Sequence, residues 1–78
     1  MFHSLAGVKI YVYTNDHNPP HFHAFYAEHE ALIVIQTLEV YAGSLPSNKL
    51  KAVRKWAATC QANLLTEFIA LNPGLRGM

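Results

Sequence analysis

The sequence predicts an α+β domain: an antiparallel β-meander of about four strands with one long C-terminal helix packed on one face. Three observations carry this reading. From Val8 to Tyr13 aliphatic residues alternate with polar residues or tyrosine, the pattern of a half-buried strand. Leu32-Ile33-Val34-Ile35 is apolar on both faces, which marks a central strand. From Leu50 to Leu71 the apolar residues recur at a 3/4 spacing, which aligns them on one face of a helix.

Taken in order, the first strand spans Val8 to Thr14 and runs into Asn15-Asp16-His17-Asn18-Pro19-Pro20. Each proline fixes its own φ and restricts the residue before it, so Asn18 to Pro20 form a stiff corner. A second strand follows from His21 to Tyr26, and Ala27-Glu28-His29 connects it to a third, Ala31 to Gln36. Thr37 to Glu39 turn the chain into a fourth strand, Val40 to Leu45, without the glycine or asparagine that tight hairpins prefer. Pro46-Ser47-Asn48 opens the helix, with Ser47 as the expected N-cap. Its apolar stripe is Leu50, Val53, Ala57, Cys60, Leu64, Phe68 and Leu71, flanked by Trp56. Leu65 and Ile69 fall outside the stripe and point to a break near Gln61 to Asn63. Asn72-Pro73-Gly74 ends the helix.

The 78 residues form one domain, residues 1–78. A chain this short buries only roughly 60–65% of its unfolded surface, and small scaffolds recruit disulfides, metal or a partner subunit. Cys60 is the only cysteine, so an intrachain disulfide is excluded. That single thiol, with no basic segment leading a long apolar run in Met1 to Ile10, predicts a reducing cytoplasmic setting. No stretch approaches a membrane span. Charged residues make up only 14% of the chain and the net charge is +1, so no global attraction to nucleic acid is implied. One helix covers one sheet face, yet Tyr11, Tyr13 and Phe25 alternate away from the core positions. The open apolar face predicts a partner, most simply a second copy of the chain.

Four of the five histidines lie between positions 17 and 29, three of them in Asp16-His17-Asn18-Pro19-Pro20-His21-Phe22-His23. Side chains at i and i+2 of a strand share a face, so His21 and His23 project side by side, with His17 and Asp16 arriving from the corner. Three functional readings stay open. His21, His23 and His17 or Asp16 can form a three-ligand zinc site with an open position. Two imidazoles can act as base and acid on a phosphodiester without any cofactor. The rings, with Lys9, Tyr11 and Tyr13, can form a surface for single-stranded RNA or a protein partner. Against these stands a structural corner in which Asp16 caps backbone N–H groups and the histidines fill hydrogen-bonding roles. Lys49, Lys51, Arg54 and Lys55 form a basic cluster, with Lys51, Arg54 and Lys55 opposite the apolar stripe. It reads either as a solvated face or as a nucleic-acid or partner contact, and no acidic residue precedes Glu67 on the helix to offset it. Cys60, on the apolar stripe, reads as core.

Lys9-Ile10-Tyr11-Val12-Tyr13, Asp16-His17-Asn18-Pro19-Pro20-His21-Phe22-His23, Leu45-Pro46 and Trp56 together resemble a family of short prokaryotic proteins, domain of unknown function forty-one-sixty. The resemblance covers nearly the whole chain and implies a strand pair followed by a helix that carries a tryptophan. It also implies a cytoplasmic protein bound to a partner encoded nearby, in a toxin–antitoxin-like gene pair. A partner-binding or regulatory role follows, with a ribonuclease-like toxin using His17, His21 and His23 as the alternative. The family has no agreed catalytic residues to carry over. This chain departs from the pattern in two places: Leu38 stands where a glycine is usual, and the helix is less acidic than in its relatives.

Overall fold

Alternation along the chain resolves into a five-stranded antiparallel sheet in the order β1-β2-β3-β4-β5, followed by two helices. The computed structural model describes residues 2–13 and 19–72. The strands are β1 (Phe2–Leu5), β2 (Val8–Tyr11), β3 (His21–Tyr26), β4 (His29–Val34) and β5 (Val40–Gly43). The helices are α1 (Ser47–Ala58) and α2 (Gln61–Leu71). The class is α+β as expected, but the sheet holds five strands among the described residues rather than about four, and the helix is split in two.

The additional strand precedes the expected first one. Phe2 to Leu5 pairs with Val8 to Tyr11 around Ala6-Gly7, whose φ values of 50° and 78° are both positive. Two positive φ values in a two-residue connection define a type I′ turn, whose twist matches that of the flanking strands. Alanine is not a residue that advertises such a turn, so the hairpin was invisible to turn chemistry.

The helix break falls at Thr59 and Cys60, just before the expected Gln61 to Asn63. The Thr59 and Cys60 amides bond the carbonyls of Trp56 and Ala57, both at 3.0 Å, a tightened last turn. Thr59 Oγ1 also donates to Trp56 O at 2.6 Å. The N-terminus of α1 departs from expectation too. Pro46, not Ser47, is the cap residue, and no side chain caps the helix. Pro46 has the extended backbone of a cap (φ −53°, ψ 142°), and its carbonyl accepts from Lys49 and Leu50. Ser47 is thereby already the first helical residue.

Both helices cover the same sheet face. Val8, Ile10, Val12, Phe22, Ala24, Ala31, Ile33 and Ile35 are buried from the sheet, and Val53, Ala57, Leu64 and Phe68 from the helices. Burying a side chain such as Phe22 contributes about 1.5–3 kcal/mol. Leu50, Cys60 and Leu71 pack on the rim of this core, so the whole predicted stripe faces it. Two amides pin α2 at its ends. Gln61 Nε2 donates to Ile35 O at 2.9 Å and Gln36 O at 3.0 Å, while Asn72 Nδ2 donates to Tyr13 O at 3.0 Å.

Leu38 closes the β4–β5 connection with a φ of 62°. This is the left-handed region that glycine adopts freely, and the family resemblance places a glycine here. Leucine is retained because its side chain is 9% exposed and joins the core. The two effects oppose each other and can be separated by substitution. Leu38→Ala keeps the unfavourable backbone and loses the packing, so it should cost about 2–3 kcal/mol. Leu38→Gly loses the packing but relieves the backbone, and should be about 1 kcal/mol more stable than Leu38→Ala. Urea unfolding midpoints of the two variants check this inverted order.

Candidate functional site: an aromatic and histidine surface on the open sheet face

Antiparallel register arranges the uncovered face in rows. Lys9, Phe25 and Glu30 are cross-strand neighbours, as are Tyr11, His23 and Leu32, and then His21 and Val34. Residues opposite one another on one face interact directly, which makes these rows the units of contact. The β4–β5 pair contains a bulge at Leu32/Ile33: Leu32 pairs with Ala42 and Ile33 with Val40, leaving Tyr41 as the extra residue. Bulges re-aim side chains. Here Tyr41 approaches His21, with ring centroids 5.7 Å apart. Gly43, at φ 74°, permits the bulge, because a Cβ there would sit 2.1 Å from Glu30 O.

The result is a continuous chain of rings. Phe25 meets Tyr11 edge-on at 5.6 Å, and Tyr11 stacks on Tyr13 at 5.6 Å. Tyr13 meets His23 edge-on at 4.6 Å, and His23 lies 5.1 Å from His21. Edge-to-face and offset arrangements at these separations are the favourable ones for aromatic pairs, worth about 0.5–1.5 kcal/mol beyond burial. The rings therefore hold one another in place on the face opposite the helices, and His21, at its edge, also reaches Phe68 of α2, 6.0 Å away.

The two imidazoles are side by side as their spacing predicts, but their environments differ. His21 is only 5% exposed. Its Nδ1 donates to Pro19 O at 2.7 Å, since a carbonyl can only accept. The proline corner thus supplies the acceptor that fixes the His21 tautomer. His23 is partly buried, its side chain 13% exposed, and its Nδ1 donates to Glu30 Oε2 at 3.2 Å across the β3–β4 pair.

His17 and Asp16, the remaining members of the predicted cluster, lie outside the described residues. Among the described residues no group of three or more His, Cys, Asp or Glu side chains is disposed to hold a metal ion. Lys9 lies at the edge of the aromatic surface, exposed beside Phe25. Lys51, Arg54 and Lys55 do not join it. They are exposed on α1, in the layer on the opposite side of the sheet. Lys51 and Arg54 line a groove of about 390 Å³ with Ser47 and Leu50. Lys49 leaves the basic cluster altogether: its Nζ donates to Ala6 O at 2.8 Å and lies 4.8 Å from the Tyr26 ring centroid. It clamps the β1–β2 turn.

Sequence reasoning missed Glu30 and Tyr41 as parts of this surface. Glu30 was recoverable by counting back from the hairpin, because the register opposes it to Phe25. Tyr41 was not, because a bulge changes the face of one residue without any compositional mark.

Fold and surface define a small α+β domain with helices on one sheet face and an aromatic, histidine-bearing surface on the other. The chain belongs to the family described as Domain of unknown function (DUF4160), whose model matches residues 7–68, from the β1–β2 turn into α2. No curated protein and no solved structure matches it. No helix among the described residues is long and apolar enough to cross a membrane.

The contrast between the imidazoles yields a test. Truncating His21 leaves the half-buried Pro19 carbonyl without its donor and opens space beside Phe68, whose ring lies 6.0 Å away. His21→Ala should cost about 1–3 kcal/mol of stability. His23→Ala loses an exposed hydrogen bond and ring contacts, and should cost about 1 kcal/mol or less. Chemical unfolding of both variants gives the comparison, and equal losses would mean that the corner does not depend on His21.

Proposed function

We propose that this protein is a partner-binding module, one component of a toxin–antitoxin-like pair in the cytoplasm, and that it docks through the open sheet face. The observation that carries this reading is the unbroken chain of six rings, Phe25, Tyr11, Tyr13, His23, His21 and Tyr41, on the sheet face opposite the two helices. Tyr13 is 39% exposed within that chain, and Tyr41, at its end, 54%. Tyrosine concentrates binding energy at protein interfaces because it brings large contact area with few rotatable bonds. Rings already packed against one another lose little further freedom on docking. Lys9 and Glu30 flank Phe25 with opposite charges and would set the orientation of the partner.

The same geometry favours recognition over catalysis. Of the three imidazoles in the ribonuclease-like alternative, His21 is enclosed and anchored to Pro19, and His17 lies outside the described residues. His23 remains the one imidazole of the pair with an exposed edge, and Glu30 holds its orientation.

Co-expression with the product of the adjacent open reading frame, followed by size-exclusion chromatography with light scattering, tests the proposal. A stable complex, or a homodimer formed by the protein alone, is expected. Tyr41→Ala, at the exposed end of the ring chain, should weaken it by about 2 kcal/mol, roughly thirtyfold, while leaving the unfolding midpoint of the isolated chain nearly unchanged. A protein that stays monomeric and unbound, or cleaves RNA in a manner lost in His23→Ala, would overturn the reading.

A further inference from the structure

The sheet ends in two edge strands, β1 and β5, and only one of them is guarded. An edge strand offers main-chain N–H and C=O groups to any other strand, and proteins blunt such edges with bulges, proline or charge. β5 contains the bulge opposite Leu32/Ile33 and ends in Gly43 at φ 74°, so it presents no regular ladder. β1 has none of these devices. It pairs with β2 without a register shift, and Phe2-His3-Ser4-Leu5 contains no proline, lysine, arginine or acidic residue. Among the described residues no strand lies on its outer side. His3 and Ser4 are both exposed, and the small Ser4 side chain does not obstruct an approaching strand.

The turn fixes which groups this edge offers. Leu5 and Val8 flank the two-residue connection and exchange main-chain bonds, and bonded and non-bonded pairs alternate from there. His3 therefore bonds inward to Ile10, whereas the N–H and C=O of Ser4 and Phe2 point outward. The outward groups are symmetric about His3. A second β1, run antiparallel about a twofold axis at His3, sets Ser4 against the second copy's Phe2 and Phe2 against the second copy's Ser4. Each is a bonded pair, and His3 faces the second copy's His3 in the non-bonded pair between them. Like charges directly opposite one another would oppose such pairing, and β1 has no acidic residue, lysine or arginine to supply them. We propose that β1 is a self-association edge, through which two copies of this chain join antiparallel around His3 into one continuous sheet. The same residues serve on both sides, the isologous pattern of a twofold dimer. A domain this small has a limited core of its own to rely on. The contact runs along the edge of the sheet and does not use the ring surface, so it stands apart from the docking reading above.

Sedimentation velocity of the full-length protein over roughly 5–500 μM should show a monomer–dimer equilibrium, with a dissociation constant on the order of 10–100 μM for so short a contact. Ser4→Pro should raise that constant at least roughly tenfold with the circular dichroism spectrum unchanged, because the Ser4 N–H takes no part in the β1–β2 ladder. Tyr41→Ala should leave this dimer intact. Cysteine variants made in a Cys60→Ser background, which removes the only native thiol, test the register. His3→Cys should give a disulfide-linked dimer on mild oxidation, since Cα atoms of an opposed non-bonded pair lie about 4.5 Å apart. Ser4→Cys should not, because in this register the two Ser4 positions are separated by more than the ~7 Å that a disulfide can span. A folded Ser4→Pro variant that dimerises as well as the unsubstituted protein, or equal cross-linking at the two positions, would overturn the proposal. So would a chain that stays monomeric throughout the range, even where Ser4→Pro then weakens a complex with a different protein, a result that would assign the edge to that protein's strand. Should Ser4→Pro fail to fold, the two cysteine variants decide.

Discussion

Side chains alternate along a strand, so burying Phe22 and Ala24 beneath the helices commits His21, His23 and Phe25 to the opposite face. The same parity sets Val8, Ile10 and Val12 inward and Lys9 and Tyr11 outward. With both helices on one side, nothing in the described chain covers the other. A one-residue slip would exchange the two sets and destroy the core, which is why the register is strongly determined. The histidine and tyrosine surface is therefore a direct consequence of how the core is made. It inherits the rigidity of the sheet rather than the mobility of a loop.

Within that surface the histidines divide their roles. His21 is nearly enclosed and tied to Pro19, so it belongs as much to the architecture of the corner as to the surface. His23 is the hub: it touches Tyr13, His21 and Phe25 and is steered by Glu30. An imidazole held by neighbouring rings and one charged acceptor presents a defined edge to whatever approaches. Preorganisation of this kind serves recognition because little ordering remains to be done when a partner arrives.

The parts of this structure that follow from periodicity were legible. Val8 to Tyr11, His21 to Tyr26 and the stripe from Leu50 to Leu71 all show their period over enough residues to stand out. The side-by-side placement of His21 and His23 followed from the same rule. What escaped lacked a period or a conventional marker. Phe2 to Leu5 is too short to display alternation, and its turn uses Ala6 at a positive φ instead of asparagine or aspartate. The α1–α2 break was foreseen from Leu65 and Ile69, but its place at Thr59 and Cys60 was not, because neither residue is proline or glycine. It is closed by side-chain and backbone donors converging on the Trp56 carbonyl. Tyr41 reaches the ring surface through a bulge, and the separation of Lys51, Arg54 and Lys55 from that surface appears only once the layers are stacked. Lys49 looked like one more surface charge until its nitrogen was seen to bond a carbonyl far away in sequence, at Ala6.

Leu38 and Glu67 both depart from ordinary local structure, and they differ in kind. Leu38 holds an unfavourable backbone conformation, but its side chain sits in the core beside the elements it connects, so the violation is compensated where it occurs. Glu67 offers no such internal compensation. Its buried oxygen is unmatched. A leucine at Leu38 is explained by folding alone.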